Sequence, residues 1–402
     1  MQSETINTLK RLVSNRKSIV LIFFVVTLGV SIQTLLVNIS VVSESGLEYY
    51  NNYQIFKYSF FHLIQQQDLY IAYPSDYWDL FKYSPTFAVF FGIFAIFPDW
   101  IGLPLWNLLN AFALLFSVYY LQKMTPLQKG LVLLLCTIEL ITSIQNQQSN
   151  GLIAGLLIFA FGFLEKRKYL LATLFIVFSA FIKLFGIVAI ILFLFYPKKR
   201  KLALYSLIWF LVLFLTPLIF VDIQQYFLVL RSWQSMLAND LSISYGYSIL
   251  GWLHSWFGLE NIKLTTLAIG TVILLIPFLK IKQYNNPVFR YLTLSSVLIW
   301  VVIFNHKAES PTYIIAMSGV AIWFIMSKKS TLNIVLLTFA FLLTSLSPTD
   351  IFPRSWLNTW VIPYSLKAVP CILIWVKIIY ELTFFNESNE NISVTEFYKS
   401  DS

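Results

Sequence analysis

Charge is scarce in this chain. Only 12% of its 402 residues are Asp, Glu, Lys or Arg, against 58% hydrophobic, about half the charged share usual for a soluble domain. A soluble fold must cover its surface with polar groups, whereas a surface facing lipid needs none. Cysteine is nearly missing. The two present, Cys136 and Cys371, lie inside apolar runs and read as small buried hydrophobes, which argues against a disulfide framework. Histidine occurs three times, with no His-Glu-x-x-His motif and no Cys/His cluster, so neither a metal nor another cofactor is expected. Acids are outnumbered, 19 to 28, giving a formal charge of +9. Such a balance suits nucleic acid, but the basic residues sit in short clusters between apolar runs. That is the positive-inside pattern of cytoplasmic loops, and no nucleic-acid partner is expected.

What is abundant is apolar sequence, with aromatics at 18%. Runs near 19–39, 102–121, 130–144, 151–164, 169–182, 184–197, 203–221, 263–281, 288–304, 311–327, 331–347 and 361–382 predict an all-α polytopic membrane bundle of about 11–13 transmembrane helices. The run from Ile19 follows Lys10, Arg11, Arg16 and Lys17. It is longer than the core of a signal peptide and reads as an uncleaved first span. The remaining basic clusters are Lys123 with Lys129, Lys166 to Lys168, Lys198 to Lys201, Lys280 with Lys282, and Lys328 with Lys329. Placing all of them inside gives consistent alternation, with both termini cytoplasmic. Pro85 to Phe97 is short and reads as re-entrant or peripheral. Residues 1–385 read as a single membrane-embedded unit with external loops at 40–84 and 222–262. The tail, 386–402, reads as disordered and cytoplasmic. In the first loop, Tyr49, Tyr53, Phe56, Phe60, Phe61 and Leu63 fall near helical spacing, predicting an amphipathic helix on the membrane.

Several polar groups stand out against this background. Loop one holds Glu44, Glu48, Asp68, Asp76 and Asp79, which either solvate the loop or supply a general base. Between two apolar runs lies Ser143 to Asn150, whose amides Gln148 and Asn150 suit sugar hydroxyls or phosphate oxygens, or else cap the following helix. Glu139 is an ionisable residue inside a run, and Lys183 is a lone cation in a long apolar stretch. Both are costly unless paired or functional, although a lysine can also snorkel to the interface. Asn305 to Pro311 places His306, Lys307 and Glu309 within four residues; they form either a charged turn or a site that binds an anion and moves a proton. The segment from Arg231 to Trp256 mixes Trp233, Asp240, Tyr245, Tyr247, Trp252 and His254, suiting sugar stacking or an interfacial aromatic belt.

In order and spacing these stretches resemble the polyprenyl-phosphate-dependent glycosyltransferases of GT-C fold, family 87, a group of alpha-mannosyltransferase-like enzymes. Asn52-Tyr53 through Gln67-Asp68-Leu69-Tyr70 is similar to the family's loop-one segment. Lys82-Tyr83-Ser84-Pro85 with Phe87 resembles its Tyr-Pro-Pro lead into the next helix. Gln148-Ser149-Asn150 resembles Gly-Gln-x-Asn, with Gln147 in place of the glycine. Lys183-Leu184-Phe185 stands where the family has Lys-x-Pro, and Asn305 to Pro311 lies near its late histidine motif. The similarity runs over roughly 19–330. It departs at Asn52, where counting back from Tyr70 puts the family's presumed catalytic aspartate.

The resemblance implies an inverting hexosyltransferase, mannose being one candidate sugar. The donor would be a polyprenyl-phosphate sugar and the acceptor a glycan or glycolipid, at the external face of a bacterial inner membrane. Glu48 is the first candidate base and Glu309 the second. Asn52, Gln148 and Asn150 are candidate substrate contacts, and Lys183, His306, Lys307 and Arg231 candidate phosphate contacts. Two other classes stay open: a flippase or transporter of lipid-linked saccharide, and a non-catalytic envelope-assembly protein. A transporter has no need of a long acidic first loop and commonly shows inverted repeats, which are not evident here.

Overall fold

The computed structural model describes residues 2–45, 49–239 and 245–385. Among them helices are the only regular structure, as expected where backbone polar groups must be satisfied within each segment. Tertiary contacts divide the chain into two compact units, Met1–Ile243 and Ser244–Ser402, where the sequence reads as one.

The first unit opens with α1 (Gln2–Ser14) and α2 (Arg16–Ser45). It continues through α3 (Asn51–Ile64), α4 (Pro85–Ala95), α5 (Asp99–Tyr120), α6 (Pro126–Gln145), α7 (Asn150–Glu165) and α8 (Tyr169–Ile182). A 3-10 helix, Leu184–Phe195, leads into α9 (Lys199–Leu215) and α10 (Ile223–Asn239). Helix starts follow local chemistry. Thr125 and Gln128 form a capping box before Pro126, and Ser84 accepts the Phe87 amide ahead of Pro85, so each proline sits where its missing N–H costs nothing.

Four helices, Arg16–Asn38, Asp99–Tyr120, Pro126–Gln145 and Lys199–Ile219, are long and apolar enough to cross a bilayer, and the other apolar helices have 10–17 residues. The chain is therefore a polytopic helical membrane protein in which only some of the expected spans have the length to cross unaided. Helix α4, with 11 residues, reaches roughly 16 Å, about half of a hydrocarbon core. Loop one contains the expected helix, α3, but its aromatic face is covered by protein. Phe56 meets Phe87 and Phe91 of α4 and Trp106 of α5 edge-on, with ring centroids 5.1, 5.3 and 5.9 Å apart. Glycine permits the closest approach between helices. A Cβ at Gly155 of α7 would lie 2.5 Å from the carbonyl carbon of Ala113 in α5, the small-residue contact that membrane helices use to pack.

The second unit holds α11 (Ile249–Phe257), α12 (Lys263–Leu275), α13 (Pro287–Ile303), α14 (Tyr313–Met326) and α15 (Thr331–Phe339). A π-helix, Ala340–Leu346, a single turn α16 (Arg354–Trp356) and α17 (Val369–Thr383) complete it. Helices α13 and α14 form its core, with Trp323, Tyr291 and Tyr313 fully buried.

Candidate functional site

In the first unit, the polar turn 145–150 is held from below by α5. Buried Trp106 donates its Nε1–H to the Gln147 carbonyl at 2.8 Å. Asn110 accepts the Leu152 amide at 2.9 Å and donates to the Trp106 carbonyl at 3.0 Å. An asparagine and an indole inside a membrane helix are costly unless satisfied, and here they fix the turn in place. Gln147 takes φ +48°, the left-handed conformation that favours glycine. This is the position where the resemblance puts a glycine.

Onto this turn comes Lys183. Helix α8 stops at Ile182, and Lys183 adopts an extended conformation before the 3-10 segment. Its ammonium donates to Asn150 Oδ1 at 2.9 Å and Gln148 Oε1 at 3.2 Å. It also stands 5.7 Å from the centroid of the Tyr83 ring, within cation–π range. The Tyr83 hydroxyl donates to the same Gln148 Oε1 at 3.4 Å. Asn52, at the start of α3, donates to the Asn146 carbonyl at 2.9 Å. Asn52, Gln148, Asn150 and Lys183, about 130 residues apart in sequence at the extremes, thus gather on one turn. Asn150 and Gln148 are buried, while Lys183 and Asn52 are partly open.

Loop one is tied to this locus. Tyr70 donates to the Tyr83 carbonyl at 2.9 Å. Asp68 accepts the Tyr70 amide at 3.0 Å and the Ser232 hydroxyl of α10 at 2.6 Å. Asn51 pairs with both backbone groups of Trp78, at 2.6 and 2.9 Å. Arg231 is exposed, one residue from Ser232. Glu48 lies outside the described residues, as do Asp240 and the tail 386–402. Glu139 is fully buried in α6.

Two polar pairs in loop one have no sequence signature. Asp99 accepts from Lys57 at 2.5 Å, Gln54 at 2.7 Å and Tyr50 at 3.0 Å, locking α3 onto the start of α5. His62 contacts Asp76 at 3.0 Å and stacks on Tyr73 with centroids 3.8 Å apart. Burial lowers the His62 pKa, and the Asp76 carboxylate only partly opposes this.

His306, Lys307 and Glu309 belong to the second unit. His306 Nε2 meets Lys263 Nζ, on the first residue of α12, at 3.0 Å. The Lys307 amide donates to Asn305 Oδ1 at 3.1 Å. Glu309 caps the 3-10 turn Ser310–Thr312 and is exposed. A buried cation, Lys367, is 1% exposed. It donates to the Thr344 carbonyl of the π-helix at 2.7 Å and stands 5.1 Å from the Tyr313 centroid. The aromatic residues of 245–256 contribute a stack of Tyr245 on His254, 3.8 Å between centroids.

No curated protein matches the sequence. The model of glycosyltransferase family 87 matches residues 81–304, a range that includes Tyr83, the Gln148–Asn150 turn and Lys183 and is flanked by the loop-one helix and the His306 turn. Since that match covers more than half of the chain, the protein belongs to glycosyltransferase family 87.

Proposed function

We propose that the chain transfers a hexose, with mannose as one candidate, from a polyprenyl-phosphate donor to a glycan or glycolipid acceptor at the external face of a bacterial inner membrane. The observation that carries this reading is the amide-held ammonium of Lys183. An ammonium at the break of an apolar helix, beside an aromatic face, suits the phosphate of a lipid that enters from the bilayer. In the reaction the acceptor hydroxyl attacks the anomeric carbon, the bond from that carbon to the phosphate oxygen breaks, and the phosphate leaves with the electron pair. Fixed cations next to that oxygen stabilise the charge as it develops. In the first unit, Asn52, Gln148 and Asn150 are the sugar and phosphate contacts of this reading, with Arg231 as a further phosphate contact; in the second unit, His306 and Lys307 are separate candidates for holding an anion. Glu48 and then Glu309 remain the candidate bases, because the amide of Asn52 takes up no proton at neutral pH.

Purified protein incubated with radiolabelled polyprenyl-phosphate hexoses and membrane glycolipids tests the proposal. Transfer of label to the acceptor, or slow hydrolysis of one donor, supports it. The absence of both across a donor panel, with flux of the same lipids in liposomes, would make the chain a transporter.

A further inference from the structure

The contact between Lys263 and His306 sets the state of the imidazole. The two nitrogens are 3.0 Å apart, so one proton lies between them. A lysine ammonium carries three N–H donors and no acceptor, whereas imidazole is far less basic and offers a lone pair at its unprotonated nitrogen. The stable arrangement has Lys263 donating to a lone pair on Nε2, which leaves the ring proton on Nδ1. An imidazolium would direct a second N–H at the ammonium and set two positive charges side by side.

The turn that carries the ring is fixed through its backbone. Gly246, at φ +44°, passes so close that a Cβ would lie 2.9 Å from the His306 carbonyl oxygen and 2.8 Å from that of Ala308. The Tyr247 amide donates to the Ala308 carbonyl at 2.8 Å, and the Ala308 amide to the Asn305 carbonyl at 3.0 Å. Tyr313 of α14 donates to the Tyr247 carbonyl at 2.9 Å. The ionisable groups on the segments packed at this turn include Lys263 on α12, Lys307 and Glu309 on the turn itself, Tyr247, whose backbone bonds Ala308, with Tyr245 and His254 on the same segment, and Tyr313 on α14, whose hydroxyl bonds Tyr247.

We propose that Lys263 is a positioning residue that fixes His306 as the neutral tautomer protonated on Nδ1, so that the turn presents a neutral imidazole beside a separate lysine cation. This deepens the proposed transfer reaction and rests on it for its meaning. The phosphate contact falls to Lys263 and Lys307, and His306 becomes a group able to hold or take up a proton. That reverses its reading as a cationic phosphate ligand.

The chain has three histidines, which makes the test direct. Full-length protein in nanodiscs, labelled with nitrogen-15 histidine, gives separate ring signals for His62, His254 and His306 at neutral pH. The wild type should show His306 with the proton on Nδ1. Lys263→Met should scramble that tautomer and let the ring protonate at a pH about one unit higher, moving the acid limb of the transfer profile the same way. Lys263→Gln should keep the tautomer, through its amide N–H, while losing the charge effect. Unchanged His62 and His254 signals report an intact fold. An unaltered His306 spectrum in Lys263→Met, or the opposite tautomer in the wild type, overturns the inference, and neither readout depends on transfer being detected.

Discussion

Lys183 donates to Asn150 Oδ1 at 2.9 Å, so the break after α8 is tied to the first residue of α7. The contact has two possible purposes, and one variant separates them. If the ammonium serves only to join two helix ends, Lys183→Met should lower the melting temperature and leave catalysis in the folded fraction. If it holds a substrate phosphate, kcat/KM should fall by about 100- to 1,000-fold, the usual scale for losing a fixed charge at a developing anion. Stability should then change little, because an apolar side chain of similar size avoids the cost of burying the charge. Lys183→Arg should retain part of the activity, since the charge stays while the planar fork fits two amide oxygens differently. Steady-state transfer with labelled donor, alongside a thermal melt, decides.

Asn52 offers a second discrimination. Its amide donates to the Asn146 carbonyl at 2.9 Å. A carboxylate there has no proton to give and faces the carbonyl with like partial charge. Asn52→Asp should therefore cost about 1 kcal/mol of stability, the net worth of one such bond, and reduce transfer by loosening the turn under Gln148 and Asn150. A gain in turnover would show instead that position 52 is the seat of the base in this chain.

The bundle was legible because its signal is local. Apolar runs, basic clusters and the shortness of Pro85 to Phe97 are read one segment at a time, and the structure returns helices there. The Gln148–Lys183 locus was legible for a related reason: polar residues are rare enough in apolar runs to mark themselves. The pairings were not. Asp99 joins Lys57, His62 joins Asp76, Lys263 joins His306 and Lys367 reaches Thr344 across sequence gaps that only tertiary packing closes. Each partner alone looks like an ordinary polar residue. The division near residue 243 is equally silent, since apolar composition runs through both units.

The His62–Asp76 pair predicts a pH dependence with a definite sign. Burial holds the folded-state pKa of His62 below its ordinary value of 6.5, with Asp76 pulling the other way. A depressed histidine disfavours protonation in the folded state. The stability it confers is therefore present above about pH 6.5 and lost as pH falls through the lower folded value. Melting followed by tryptophan fluorescence should show loop one, which carries Trp78, weakening as the pH falls below about 6.5. His62→Gln should flatten that segment of the curve. Asp76→Asn removes the influence that raises the pKa, so its acid loss should be larger than in the wild type. A flat wild-type curve, or an Asp76→Asn curve shallower than it, would contradict the assigned cause.

Gln147 carries a last prediction, because its backbone conformation and its side chain pull in opposite directions. At φ +48° a residue with a Cβ is strained by about 1 kcal/mol or somewhat more, a cost that glycine escapes. The side chain recovers part of that by donating to the Gln145 carbonyl. Glycine in turn gives up more chain entropy on folding, which offsets some of its steric relief. Gln147→Gly should leave the fold and the transfer activity intact and shift stability by no more than about 1 kcal/mol. Gln147→Val, branched at Cβ and without the amide, should lose about 2 kcal/mol. It should also lose activity in the folded protein, because the Trp106 bond to the Gln147 carbonyl orients the same turn that presents Gln148 and Asn150 to Lys183. Thermal melts with transfer assays on both variants check the pair. If valine proves as stable and active as glycine, the left-handed turn is not what holds the site.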